Sequence, residues 1–321
     1  MSAKPPAMRD AFLDRIWRAM ASDDRLFFVT ADFGSPVLDK IRQDFPGRFV
    51  NVGIAEQNLI NVCAGLALED FKVFGYAIAP FITMRCCEQI RVNLALLSQV
   101  RPMSVSLIGV GAGYSYVVSG PTHQCYEDLA LMRAIPVVRV LSPADHVAAA
   151  SMFDQCVRGP GLRYLRFDAQ VLPVVYEKAA PNIDLGFHVH RLGKTLCLIA
   201  TGYMLHTALK VAQRLETLGH DVGVIDLFDL SGFSAASLRE ALLGYEGIVS
   251  MEEGFRGRGG MDAALFDFLA RSGLNKRMLN LGVAGAYRFE LGSRTELHEL
   301  VGIGPEAVLR AVCDFANEVA A

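Results

Sequence analysis

The chain has 321 residues, of which 52% are apolar and 20% charged, with a formal net charge of −3. That length accommodates two domains of ordinary size, and the composition excludes a disordered chain. With no basic block, nothing points to electrostatic binding of nucleic acid, and no run reaches the ~18 apolar residues that a membrane span needs.

The opening MSAKPPAMRDAF carries no apolar segment of signal-peptide type. Seven cysteines (63, 86, 87, 125, 156, 197 and 313) lie mostly inside apolar segments, with no Cys-x-x-Cys pair. The pattern reads as reduced core thiols in a cytoplasmic protein rather than a disulfide framework or a zinc site.

In chain order, RIWRAMASDD closes a helix, LFFVTA and FVNVG are β-rich, and EQNLINVCAGLALE has helical periodicity, with Leu59, Cys63 and Leu66 at steps of four and three. A strand KVFGYA, a long helix PFITMRCCEQIRVNLALLSQ, a strand MSVSLIG and a glycine-rich loop come next. A helix around EDLALMRAI, a strand VVRVL and a helix opened by SPAD follow, the last with Ser142 placed to cap it and Pro143 at its first position. Strand LRYLRF ends this unit. Residues 168–192, with Pro173 and Pro181 and little periodicity, read as a connecting segment.

A second unit repeats the alternation: TLCLIAT, helix MLHTALKVAQRLETLG, DVGVIDL, a helix near SAASLREALL, GIVSMEE, and a closing helix from Pro305. Strands alternating with helices over short connections predict mainly parallel sheets covered on both faces. The fold class is α/β in two domains, with boundaries expected at 1–170, 171–192 for the linker, and 193–321.

Two segments invite chemistry. Gly109-Val-Gly111-Ala-Gly113-Tyr114 follows a strand, but a dinucleotide turn needs Gly-x-Gly-x-x-Gly and a helix behind it, and Tyr114 stands at the third position. It reads as a flexible loop beside a site. In VNVGIAEQN, Glu56 sits where a strand hands over to a helix. An acid there favours the helix dipole and commonly does no more. Its company argues for more: Ala79-Pro80-Phe81 follows, then Gly120-Pro-Thr-His-Gln124 with Glu127 and Asp128.

NVGIAEQN, the aromatic and EQIR stretch, and GPTHQ with EDLALMRAIP, in that order, resemble transketolase. The resemblance covers the C-terminal half of that family, over nearly the whole chain. It implies a thiamine-diphosphate-fold pyrimidine-binding domain with a mainly parallel sheet flanked by helices, then a smaller α/β transketolase C-terminal domain. It further implies thiamine diphosphate as cofactor. Glu56 is expected to hydrogen-bond N1′ of the aminopyrimidine, a task for a carboxyl that burial keeps protonated near neutral pH. Phe81 is expected to stack on that ring, with Asp32 and Ile54 close to the cofactor. His123 would line the substrate channel as an acid or orienting group. Arg9 and Arg166 match arginines that hold a sugar phosphate. Two positions depart from the family: Gly111 stands where a histidine helps hold the phosphorylated ketose, and Ser119 where an aspartate reads a sugar hydroxyl. That leaves the common pentose-phosphate substrates in doubt, and a modified, longer or unphosphorylated substrate in a specialised pathway is expected.

The segment MEEGFRGRGGMD, residues 251–262, is expected to serve packing and subunit contact. The family's other half carries a Gly-Asp-Gly…Asn signature whose Asp and Asn hold the metal on the diphosphate, and this chain has no Gly-Asp-Gly. No metal ligand is therefore assigned here. Mg²⁺ is expected on an N-terminal partner subunit, in an α2β2 heterotetramer acting on a sugar or sugar phosphate. Alternative readings are the β subunit of a thiamine-dependent 2-oxoacid dehydrogenase, which shares a similar GIAEQ motif, and a non-catalytic partner subunit. A 1-deoxyxylulose-phosphate synthase fits less well, because that family keeps both halves in one chain.

Overall fold

A computed structural model describes residues 5–320. Strands β1 (Leu26–Thr30), β2 (Phe49–Asn51), β3 (Lys72–Ile78), β4 (Ser104–Val110), β5 (Val138–Leu141) and β6 (Gly161–Phe167) form one sheet in the order β2-β1-β3-β4-β6-β5. Every pairing in it is parallel. The central strands are apolar runs because helices cover both faces: in β4, Val105 through Val110 are all buried.

The second sheet holds β7 (Phe187–Arg191), β8 (Leu196–Ala200), β9 (Val222–Leu227), β10 (Gly247–Phe255) and β11 (Arg277–Val283), in the order β11-β10-β8-β9-β7. Only β7 runs antiparallel, pairing with β9. A continuous core joins the two units, running from Leu129, Met132 and Ile135 to Leu230, Met261 and Leu265.

The strand order positions a site. The chain runs from β1 outward to the edge strand β2, then returns to β3 on the other side of β1. Connections leaving β1 and β3 in opposite directions open a crevice beyond their carboxyl ends, where α/β sheets bind ligands. Asp32 follows β1, Glu56 follows β2, Phe81 follows β3, and the loop with Gly111 and His123 follows β4. These four segments therefore meet beyond the carboxyl ends of the strands.

Three local expectations are corrected. The stretch from Pro80 to Gln99 is not one helix. It breaks into Ala79–Thr83, Cys87–Gln89 and a π-helical Ile90–Leu96, an irregularity that keeps the apolar pattern and is frequent at functional sites. The helix after SPAD starts at His146, not Pro143. Asp145 caps it, accepting from Ala148 N at 2.8 Å, and its other oxygen accepts from Val175 N and Tyr176 N at 2.8 and 2.9 Å. That tie to the connecting segment recruits Asp145, while Ser142 is buried with its hydroxyl unpartnered among the described residues. Finally, Phe187–Arg191, expected within the linker, is strand β7.

Candidate active site

Glu56 opens the helix Glu56–Leu68, whose N-cap Ala55 contributes no side-chain hydrogen bond. The carboxylate complements the exposed amides of the first turn, yet it is only 4% exposed. Arg85, freed by the break in the following helix, donates from Nη1 to Glu56 Oε2 at 2.5 Å. The same guanidinium lies 4.6 Å from the centroid of the Phe81 ring, a cation–π contact. A cleft of about 400 Å³ opens here, lined by Ile54, Glu56, Gln57, Asn61, Arg85 and Gln89. Ile54 is 80% exposed on its rim. A larger cleft, about 740 Å³, lies at the domain junction beside Val137 and Arg271. Glu56 and Arg85 line the smaller one, with Phe81 against the Arg85 guanidinium, and it is the candidate site.

Asp32 is held in the left-handed region, with φ 52°. Its backbone N donates to Asn51 Oδ1 at 3.1 Å, and Asn51 Nδ2 donates back to Asp32 Oδ1 at 3.1 Å. Asn51 also accepts from Gly53 N at 3.0 Å. One asparagine thus fixes both the Asp32 turn and the approach to Glu56. A strained non-glycine residue so restrained is the kind of outlier that clusters at functional sites.

The loop after β4 brings His123 to the site. Its ring stands edge-on to Phe81, centroids 5.3 Å apart at 70°, and Nδ1 lies 2.9 Å from Thr122 Oγ1. The Tyr116 ring also stands edge-on to His123, at 6.2 Å and 80°. Gly111, at φ 113°, has no room for a side chain: a Cβ there would overlap the edge of the Tyr116 ring at Cε2. Tyr116 thus occupies the space that a residue at 111 would otherwise enter. Ser119, in the same loop, is exposed.

Arg9, in the helix Met8–Met20, has its guanidinium 5.9 Å from the ring centroid of Phe33, which follows β1. Nε is 3.4 Å from Asp10 Oδ1 but makes no hydrogen bond among the described residues. Phe33 stacks on Tyr76 at 5.0 Å, and the fully buried Tyr76 hydroxyl also has no described partner.

Arg166 does not join them. It is 1% exposed and committed to the interior: Nε donates to Asp128 Oδ2 at 2.7 Å, and Nη2 donates to the carbonyls of Cys125 and Glu253 at 3.1 and 2.9 Å. Burial alone would lower the guanidinium's pKa, and the Asp128 carboxylate more than reverses that, so the guanidinium stays charged. Its place is the junction between domains rather than the substrate channel. Glu253 anchors the same junction, bonded to Arg294 and His298. Burial would raise its pKa, but Arg294 and His298 hold it below the usual carboxylate range. Glu252 accepts from Met261 N and Asp262 N at 3.0 and 2.9 Å, fixing the start of the helix Met261–Arg271. Both acids of MEEGF are thus packing groups.

Sequence reasoning missed Arg85, Asn51, Tyr76 and Tyr116. For Arg85 the available signal was a single cation in the apolar stretch ITMRCC. For Tyr116 it was an aromatic five residues after a glycine that a strand end forces into positive φ.

The chain resembles known proteins over nearly its whole length. The transketolase pyrimidine binding domain matches residues 4–174 and the transketolase C-terminal domain residues 186–308. The chain belongs to the transketolase family. An apulose-4-phosphate transketolase subunit of Phocaeicola vulgatus is 27% identical over 314 residues, covering 97% of this chain and 98% of that protein. The 6-deoxy-6-sulfo-D-fructose transketolase subunit of a Clostridium species is also 27% identical, with 95% and 92% covered. A solved split-gene transketolase, described as an inactive β4 tetramer, superposes with a TM-score of 0.85 at 27% identity, over 97% of this chain and 98% of that one. Within the family the chain is a C-terminal subunit of the split type, a transferase component. The 2-oxoacid dehydrogenase alternative is not favoured.

Proposed function

We propose that the chain supplies the aminopyrimidine half of a thiamine diphosphate site and, with an N-terminal partner subunit, transfers a two-carbon ketol unit from a ketose to an aldose. The observation that carries this reading is the buried Glu56 carboxylate at the switch-point crevice, with Oε2 taken by Arg85 and Oε1 free to face a ring nitrogen. The residues fit the group: a carboxyl for the ring nitrogen, the Phe81 face for stacking, and the apolar Ile54 beside them. When bound, thiamine diphosphate supplies a thiazolium carbon nucleophile able to cleave and form carbon–carbon bonds beside a carbonyl.

This chain's residues then have distinct tasks. Glu56 would present its free oxygen to N1′ of the pyrimidine. Arg85 now makes the two contacts, to Glu56 and to Phe81, that the ring would make, and its half-exposed side chain would have to give them up for the ring to bind. His123, between Phe81 and Tyr116, orients or protonates a sugar oxygen. Asp32 and Ile54 shape the cofactor's surroundings, Ser119 faces the channel mouth, and Arg9 attracts an anionic sugar. Mg²⁺ and the diphosphate lie mainly on the partner, in an α2β2 assembly working in the cytoplasm. That a β4 tetramer of a split-gene relative is described as inactive supports the need for the partner.

The test is turnover by the reconstituted pair with and without thiamine diphosphate. Ketol transfer that requires the cofactor, and falls ~10²–10⁴-fold in Glu56→Gln with assembly intact, is expected for loss of an acid–base group. Carbon dioxide release from a 2-oxoacid, or unchanged turnover in the variant, would contradict the reading.

A further inference from the structure

The loop that carries His123 leaves and re-enters the first domain through a narrow neck. Gly113 and Cys125 exchange backbone hydrogen bonds at 2.9 and 3.0 Å, so residues 114–124 form one closed excursion between them. The neck rests on the end of β10, in the second domain. On one side, Tyr114 N donates to Glu253 Oε1 at 3.3 Å, and the Tyr114 ring stands edge-on to His298, centroids 5.5 Å apart. On the other, Phe255 N donates to the Tyr126 carbonyl at 3.3 Å, and the two rings lie 5.3 Å apart. Gly113 has φ 52°, and a Cβ there would lie 2.5 Å from Glu253 Cδ. Only glycine allows so close an approach.

The Glu253 carboxylate is itself held from behind. Arg294 donates to it twice, from Nε to Oε1 at 3.0 Å and from Nη2 to Oε2 at 2.5 Å. His298 Nε2, facing an acceptor, donates to Oε1 at 2.6 Å. Arg294 Nη1 also lies 2.6 Å from Asp168 Oδ2. Asp168 Oδ1 accepts from Gln170 N at 2.8 Å, and Gln170 Nε2 donates to the Ser115 carbonyl at 3.0 Å, inside the loop. The Glu253 carbonyl accepts from Arg166 Nη2, which donates as well to the carbonyl of Cys125. One residue of the second domain therefore reaches both sides of the neck through charge-assisted contacts.

We infer that Glu253, besides packing the junction, is a positioning residue for His123: its carboxylate, backed by Arg294 and His298, sets the neck of the loop and so the stance of the imidazole against Phe81. This rests on the transketolase reading, in which His123 meets the sugar, and deepens it by giving the C-terminal domain a part in the reaction. A carboxylate suits the task because both of its oxygens accept, and donors stand on both sides of it. Glutamine offers one accepting oxygen and turns an NH2 toward a donor, so the neck must shift. A displacement of about 1 Å at a reacting group can cost ~10²-fold.

The experiment uses the assembly reconstituted with its N-terminal subunit, carrying wild-type, Glu253→Gln, His123→Ala or doubly substituted chain. D-fructose 6-phosphate and 6-deoxy-6-sulfo-D-fructose serve as ketol donors. Glu253→Gln should lower kcat/KM by about ten- to 10²-fold, with the Kd of thiamine diphosphate within about two-fold, as for sites that share no partner. In the His123→Ala background the same change should cost no more than about two-fold further, because nothing is left to position. Gly113→Ala keeps every charge and sets one methyl against the carboxylate; it should repeat the pattern, and carries the test if Glu253→Gln does not assemble. Hydrogen exchange over residues 114–124 gives a readout independent of turnover. Those amides should exchange roughly five- to ten-fold faster in either variant, the scale of one lost hydrogen bond. Losses that multiply in the double variant, turnover of His123→Ala equal to wild type, or unchanged exchange would leave Glu253 a packing group alone and overturn the inference. Faster exchange in an assembly that transfers no ketol unit from either sugar would support the clamp and count against the transketolase reading. Ketol transfer with multiplying losses would do the reverse.

Discussion

Replacing Arg166 by Ala separates two roles for that residue. In the structure its guanidinium neutralises Asp128, which is fully buried, and donates to two carbonyls from different domains. After the substitution, only the Tyr164 hydroxyl at 2.8 Å remains on Asp128 Oδ2. Breaking a buried pair by removing one partner destabilises by about 3–5 kcal/mol, since the remaining charge is left uncompensated. At roughly 2–4 °C per kcal/mol for a chain of this size, thermal unfolding should come about 10 °C earlier. Removing both charges, in Asp128→Leu with Arg166→Met, should recover most of that loss, because an apolar replacement of a buried pair is often neutral. Differential scanning calorimetry of the three proteins gives the comparison. An Arg166→Ala chain that melts within about 1 °C of wild type, far below that slope, yet loses turnover only with anionic sugars would refute this placement and return Arg166 to the channel.

Gly111→Ala meets the Tyr116 ring and an unfavourable φ, and should lower stability by about 1–3 kcal/mol; in a Tyr116→Ala background roughly 1 kcal/mol should be regained, read from urea midpoints as a coupling energy. Arg85→Met uncovers Phe81 and Glu56, and calorimetry should find thiamine diphosphate bound by the assembly at least as tightly as by wild type; a ten-fold loss would make Arg85 a cofactor ligand instead. Asp226 is fully buried against the Tyr176 hydroxyl at 2.7 Å, and burial raises its pKa from 3.8 to about 8. Between those values the folded chain holds a proton that the unfolded chain has released, so Asp226 should erode stability as pH rises from about 4 to 8. Asp226→Asn should flatten that slope in a pH series of unfolding midpoints.

The alternation of apolar strands with periodic helices already dictates two α/β sheets, and the strand–helix boundary at Glu56 is readable because a carboxylate interrupts a run built for burial. Other features escape a linear reading. The break at Met84–Cys86 preserves apolar spacing, so periodicity alone extends one helix through it. Arg166 pairs with an acid 38 positions away and Arg85 with one 29 positions away; an arginine's partner is chosen by the fold, and sequence spacing does not reveal it. Strand β7 was visible in part, since Phe187 and Val189 alternate with His188 and His190, but the nearby prolines and short length mask it. Tyr116 escapes notice because its meaning lies in the empty side-chain position of Gly111.

The measurement closest to the central claim is calorimetric titration of thiamine diphosphate, with and without Mg²⁺, into this chain alone, its N-terminal partner alone, and the two mixed. A site divided between chains predicts weak or undetectable binding by this chain and tight, magnesium-dependent binding by the mixture, with the gain reduced when the mixture carries Glu56→Gln. Tight, metal-dependent binding by this chain alone, or a mixture that binds no better than the partner does, would contradict the account.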